Sequence, residues 1–139
     1  METNENTETE SAVFNMALDT LKRLGKNLEE QKNLVFKTEY STEVQQVMKI
    51  GLVKQFFVQA SPLLPEDTVK KYKTEVLKLR PKMQQVRQQS VLGCTEVVGN
   101  RLAYSEELEI RMDEITIELQ MIIQKEKYFM PSVEDEGDF

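Results

Sequence analysis

Residues 69–104 read VKKYKTEVLKLRPKMQQVRQQSVLGCTEVVGNRLAY, and the fold class turns on how they are read. Val69, Tyr72, Val76, Leu79, Met83 and Val86 recur at strict 3-4-3-4-3 spacing, the best heptad run in the chain. That period predicts a helix. Pro81 falls inside it, so a kink or break is expected near Leu79 rather than one straight rod. Beyond the run, Gly93 and Gly99 weaken any helix, while Val91, Leu92, Val97, Val98 and Leu102 supply apolar contacts. The expectation is a short loop near Leu92–Thr95 followed by more helix.

Working outward, Pro62 and Pro65 sit three apart in SPLLPED and cannot lie in a helix interior without losing hydrogen bonds, so the segment is a corner. Before it, Val44, Val47, Met48, Val53, Phe56 and Phe57 mark a helix to about Ala60, with Thr42 and Gln45 matching a capping box. Earlier still, Phe14, Ala17, Leu18, Leu21, Leu24, Leu28 and Val35 form one apolar stripe. This first helix should start at Thr7 or Ser11 and run to about residue 37. After the corner, Pro65, Glu66 and Asp67 suit the first turn of a third helix, where acids face the positive end of the macrodipole.

On the C-terminal side, Ser105 with Glu106 and Glu107 reads as another cap or as an exposed patch of one long helix, and Leu108, Met112, Ile115, Leu119 and Ile122 make a second seam reaching Phe129 before Pro131. Ile115, Ile117, Leu119, Met121 and Ile123 also alternate as a half-buried strand would. Helix is preferred because Leu108, Ile110 and Met112 precede this stretch without a turn signal and no similar partner strand appears. A β-hairpin nearby would sink that choice.

Composition bounds the function. The 139 residues fit one domain, and 40% hydrophobic with 30% charged residues is too apolar for disorder throughout. The net charge of −6 belongs to the ends: residues 1–10 and 131–139 carry four acids each and no base. Taking those eight from 24 acids leaves 16 against 18 bases, a middle of +2. A polar, acidic start differs from a targeting peptide, and no apolar run reaches the about 18 residues of a membrane span. The single Cys94 cannot form an intramolecular disulfide. An intracellular protein, cytoplasmic or nuclear, is expected, with no membrane partner.

With no His there is no imidazole base, no Cys–His pair and no His-based metal site. The five glycines match neither the dinucleotide fingerprint nor the Walker pattern. Glu106, Glu107 and Glu109, with Asp113 and Glu114, read as a solvated helix face, and Cys94 as a small packed residue. No catalytic, cofactor-binding or metal residues are assigned, and neither a cofactor nor a small-molecule substrate is expected.

Two charge features remain. Lys70, Lys71, Lys73, Lys78, Arg80, Lys82 and Arg87 against the single acid Glu75 give +6 over 19 residues, a candidate polyanion-binding helix face. The plainer reading is a solvated face whose lysine stems cover apolar surface. At the other end PSVEDEGDF follows the last helix, with Glu134, Asp135, Glu136, Asp138 and Phe139 as candidate docking residues. In its acids and terminal Phe it resembles the tails by which bacterial and phage single-stranded-DNA-binding proteins dock partners. The resemblance covers about six residues, and nothing upstream looks like that family's barrel.

The sequence thus predicts an all-α fold, an antiparallel helical bundle or coiled-coil hairpin of three to five helices over residues 10–130. Disordered acidic tails would flank it at 1–9 and 131–139. The leading function is a non-enzymatic interaction subunit, closing its seams by self-association or on a protein partner. The seam residues would be Val69, Tyr72, Val76, Leu79, Met83, Leu108, Met112, Ile115, Leu119 and Ile122, with the last five forming a buried seam that faces Val69, Tyr72, Val76 and Leu79. The alternative is a nucleic-acid-associated accessory factor that uses the 70–87 face on phosphates and the tail on a protein.

Overall fold

The computed structural model describes the backbone of residues 2–125 and the side chains of residues 12–125. Glu134, Asp135, Glu136, Asp138 and Phe139, the 131–139 tail, and the helix end expected at Phe129–Pro131 lie outside the described residues. Four helices and one β-hairpin follow in the order α1 (Glu2–Phe36), α2 (Thr42–Ala60), a 3-10 turn (Ser61–Leu63), α3 (Glu66–Leu77), β1 (Lys82–Gln89), β2 (Thr95–Ala103) and α4 (Glu106–Gln124).

The all-α expectation is therefore corrected. Helix accounts for 68% of the described residues, but β1 and β2 pair antiparallel into a two-stranded sheet, and the expected bundle is not the fold. The chain that was expected to kink at Pro81 and stay helical leaves helix at Leu77. Pro81 biases Arg80 away from the α region, and the chain emerges extended. The loop-then-helix expected over 88–104 is a turn and β2. Of the six-residue heptad run, only Val69, Tyr72 and Val76 lie on α3; Leu79 is in the link, and Met83 and Val86 are on β1.

Boundaries elsewhere follow local chemistry. Helix α1 begins at Glu2, ahead of the starts expected at Thr7 or Ser11, and so takes in the stretch read as a tail. The cap of α2 is Ser41, one residue before the Thr42 expected: its hydroxyl accepts from the Val44 N–H at 3.4 Å. Helix α2 stops at Ala60, where Pro62 enters the 3-10 turn. Ser105 caps α4 by accepting from the Leu108 N–H at 3.3 Å.

Helix α2 is the hub, packing against α1, α3, α4, the 3-10 turn and β2. Its Ile50, Val53, Phe56, Phe57 and Ala60 are buried. They meet Leu18, Leu21 and Leu28 of α1, Leu64, Tyr72 and Val76 from the α3 side, and Met112, Ile115, Leu119 and Ile123 of α4. Polar ties fix α3 on α4. The Arg111 guanidinium binds both Glu75 oxygens, with Nη2 donating at 2.7 Å, and the Tyr72 hydroxyl donates to Glu118 at 3.1 Å. The hydrogen bond from Arg111 holds the Glu75 carboxyl below its ordinary value.

Two helical glycines differ in their surroundings. A Cβ on buried Gly25 would sit 2.9 Å from the Gln120 side-chain oxygen, the far end of a flexible side chain that would have to swing aside. Gly51 lies mid-α2, exposed, with nothing within 4 Å of an added Cβ. Gly51→Ala is therefore expected to stabilise the protein by about 1 kcal/mol, because Ala loses less backbone freedom on entering a helix. The urea midpoint should rise with the m-value unchanged.

Candidate interaction surface

The hairpin is built by its turn. Ser90 N–H donates to the Cys94 carbonyl at 2.7 Å, Gly93 N–H to the Ser90 carbonyl at 2.9 Å, and Cys94 N–H to the Ser90 hydroxyl at 3.2 Å. Gly93 has φ +86°, a conformation that costs a residue with a Cβ about 1–2 kcal/mol. In the ladder Val86 faces Gly99 and Arg87 faces Val97, so Val98 is an extra, unpaired residue. Such a bulge bends and twists its own strand, here β2.

Little covers this sheet. Every β1 residue except Val86 is exposed, as is β2 up to Arg101. At the tip, Val91 and Leu92 are 104% and 90% exposed, and Met83, Val97 and Val98 are each at least half exposed. Side chains alternate between faces. Met83, Gln85 and Arg87 therefore share one face with their partners Leu102, Asn100 and Val97. Lys82, Gln84, Val86 and Gln88 share the other with Ala103, Arg101, Gly99 and Glu96. The first face carries the apolar strip; the second is polar.

The base, by contrast, is tightly held. The buried Gln46 amide donates to the Ser105 carbonyl at 2.8 Å and accepts from the Ser105 N–H at 3.0 Å, pinning the residue between β2 and α4. One turn along α2, Lys49 is buried and bonded to Glu109 and to Asp113, the latter at 2.7 Å. Lys32 reaches Asp113 at 3.8 Å and Glu29 at 3.6 Å, and the Lys49 ammonium lies 5.4 Å from the Phe36 ring centre. Burial pulls the Lys49 pKa down, but the hydrogen bonds and charges of Asp113 and Glu109 outweigh it and leave the value raised. This cluster lines a groove of about 360 Å³ between α1 and α4. Its polar groups satisfy one another, and among the described residues no buried side-chain nitrogen or oxygen lacks a partner. It fastens α1, α2 and α4 beneath the hairpin.

The sequence-predicted residues are distributed as follows. Tyr72, Val76, Leu79, Met112, Ile115 and Leu119 are buried in one core with Val69 and Leu108 packed against it. Ile122 is half-buried and Met83 stands exposed on β1. The seam expected to meet a partner is thus largely the inside of this chain. The basic stretch is not one helix face: Lys70, Lys71 and Lys73 are on α3, Lys78 caps it, Arg80 is in the link, and Lys82 and Arg87 are on β1. Lys70 pairs with Glu66 at 3.2 Å, and Lys71 lies 5.1 Å from the Tyr72 ring centre. Cys94 is an exposed free thiol at the hairpin turn rather than a packed residue.

The hairpin surface is not among the residues assigned from the sequence. The signals present were Pro81 closing the helical run, Gly93 in a five-residue gap, and the β-branched Thr95, Val97 and Val98 after it. Among the described residues, no three His, Cys, Asp or Glu side chains are grouped to hold a metal, and no helix is long and apolar enough to cross a membrane. Comparison with family models, with curated proteins and with solved structures gave no match.

Proposed function

We propose that this chain is a non-enzymatic interaction subunit that engages protein through its β-hairpin, while the helices serve as the mount. The observation that carries this reading is the apolar tip, Val91 and Leu92, held in solvent by a turn with specific hydrogen bonds on a firmly anchored base. A two-stranded sheet alone is marginal in water, and both its edges offer unpaired backbone groups. Exposed Met83, Val97 and Val98 extend the apolar contact area along the strands. The nucleic-acid reading has less support, since the cations of 70–87 are spread over a helix, its cap, a link and a strand.

Cys94, the one thiol in the sequence, provides the test. A photo-cross-linker attached there should give discrete protein adducts in extracts of the source cells, with another protein or with the chain itself. Those adducts should vanish when Val91 and Leu92 are both changed to Asp, with helix content by circular dichroism unchanged. A tip that gives no discrete adduct, or adducts indifferent to the two substitutions, overturns the reading.

A further inference from the structure

We propose that the uncovered edge of β1 is a two-fold pairing surface for a second copy of this chain, joining two hairpins into one four-stranded antiparallel sheet. Strand order would run β2–β1–β1–β2. The inference rests on the hairpin being the contact element, and it names the occupant.

The choice of edge follows from the strands themselves. Natural edge strands are guarded by bulges, prolines or inward-pointing charges. β2 has such a guard in unpaired Val98 next to Gly99, which breaks the regular spacing an added strand needs. It also lies against α2 near its base. β1 contains eight consecutive residues with no Gly, no Pro and no extra residue, and its only charges are Lys82 and Arg87. Pro81 lies just outside the strand, and the two cations sit five residues apart, leaving Met83–Val86 uncharged.

The choice of a second copy follows from the side chains. A two-fold antiparallel pair must set one residue opposite itself. With Val86 on the axis, Gln84 of one copy meets Gln88 of the other, Gln85 meets Arg87, and Met83 meets Gln89. No cation faces a cation. Primary amides carry both donors and acceptors, so Gln84 and Gln88 can bond to each other across the axis without a differently charged partner. Arg87 already donates to the Gln85 amide oxygen of its own strand at 2.9 Å, and the same pairing is then available between copies. Four Gln in eight residues make a strand suited to its own sequence, as in amide ladders of stacked identical strands. A two-fold axis normal to the sheet keeps each face on its own side. The Met83, Leu102 and Val97 strips of the two copies then lie on the same face of the joined sheet, on either side of the central Gln85–Arg87 pairs.

The test is the concentration dependence of mass by sedimentation for the full chain and three doubly substituted forms, all at exposed positions. Gln84→Lys with Gln88→Lys puts two like-charged pairs across the axis and should weaken dimerisation about tenfold. Gln84→Glu with Gln88→Lys makes both pairs opposite in sign and should dimerise at least as well as the parent. Thr95→Lys with Asn100→Lys adds the same two charges on β2 and should leave dimerisation unchanged. A chain that stays monomeric overturns the proposal; hairpin-dependent adducts of another protein at Cys94 would then still support the proposed function. Equal dimerisation by the two Gln84 variants, or equal loss in the β2 variant, also overturns it, by excluding this edge and register.

Discussion

Leu119→Ala is expected to lower stability by about 2–5 kcal/mol, the cost of deleting buried methyl groups and leaving a cavity that closes only in part. Leu119 has no exposed surface and shares the core with Met112, Ile115 and Ile123 of its own helix and with Val53, Phe57, Tyr72 and Val76 across from it. The loss should appear as a drop in the denaturation midpoint at constant m-value. The right control is Ile117→Ala, two residues away on the same helix but 58% exposed, which should change stability by less than about 0.5 kcal/mol. Glu118 is a poor control because it accepts from the Tyr72 hydroxyl and lies 3.8 Å from Arg111. Equal midpoints for Leu119→Ala and Ile117→Ala would mean that α4 turns a different face to the core.

The second large effect is expected from Lys49→Met, which keeps the buried stem and removes the charge. Glu109, whose side chain is 17% exposed, would lose its ammonium partner inside the protein, whereas Asp113, at 44%, would recover some water. Breaking a buried pair on one side costs about 3–5 kcal/mol, and the exposure of Asp113 places this case near 3. The pH dependence gives an independent check. A lysine whose folded pKa is raised contributes stability that is fully present below its ordinary value and is lost as pH rises through the raised one. Stability of the parent should therefore decline in strong alkali by an increment that Lys49→Met lacks. A parallel pair of alkaline profiles would show that the ammonium adds nothing at this site.

Much of the helical body was legible because its signals are local. Ala60 ends α2 where the double proline begins, and the Ser105 cap precedes three acids, Glu106, Glu107 and Glu109, in the first turn of α4. The strand-like alternation of Ile115–Ile123 dissolves once burial is known. Ile115, Leu119 and Ile123, spaced by four, are buried, while Ile117 and Met121 are about half exposed. Two interleaved helical rows imitate one strand; the hairpin that was to sink the helix lies just upstream, and α4 is helical all the same, so that criterion fails.

The hairpin was hidden for the converse reason. Strands announce themselves through alternating burial, and β1 and β2 have hardly any buried residues to alternate. Gln is a good helix former, and Met83 and Val86 happened to continue the period of α3 beyond Pro81. The candidate surface was missed with it. The apolar residues at helical spacing pack against one another, as expected of two facing seams, and so leave little of themselves for a partner.

Because the ion cluster joins residues 60 and more positions apart, biosynthesis meets a definite bottleneck. A growing chain emerges from its N-terminus at about 5–20 residues per second. When α1, α2 and α3 are already outside the ribosome, Lys49 still lacks both carboxylates, and Val53 and Phe57 still lack the wall that Met112, Ile115 and Leu119 supply. The hairpin, pairing only neighbours in sequence, can close before that wall arrives. α4 is the last described helix to be made, so the core stays unfinished until it arrives. A pause ahead of residue 106 would prolong that interval and give holding chaperones their longest access to the chain.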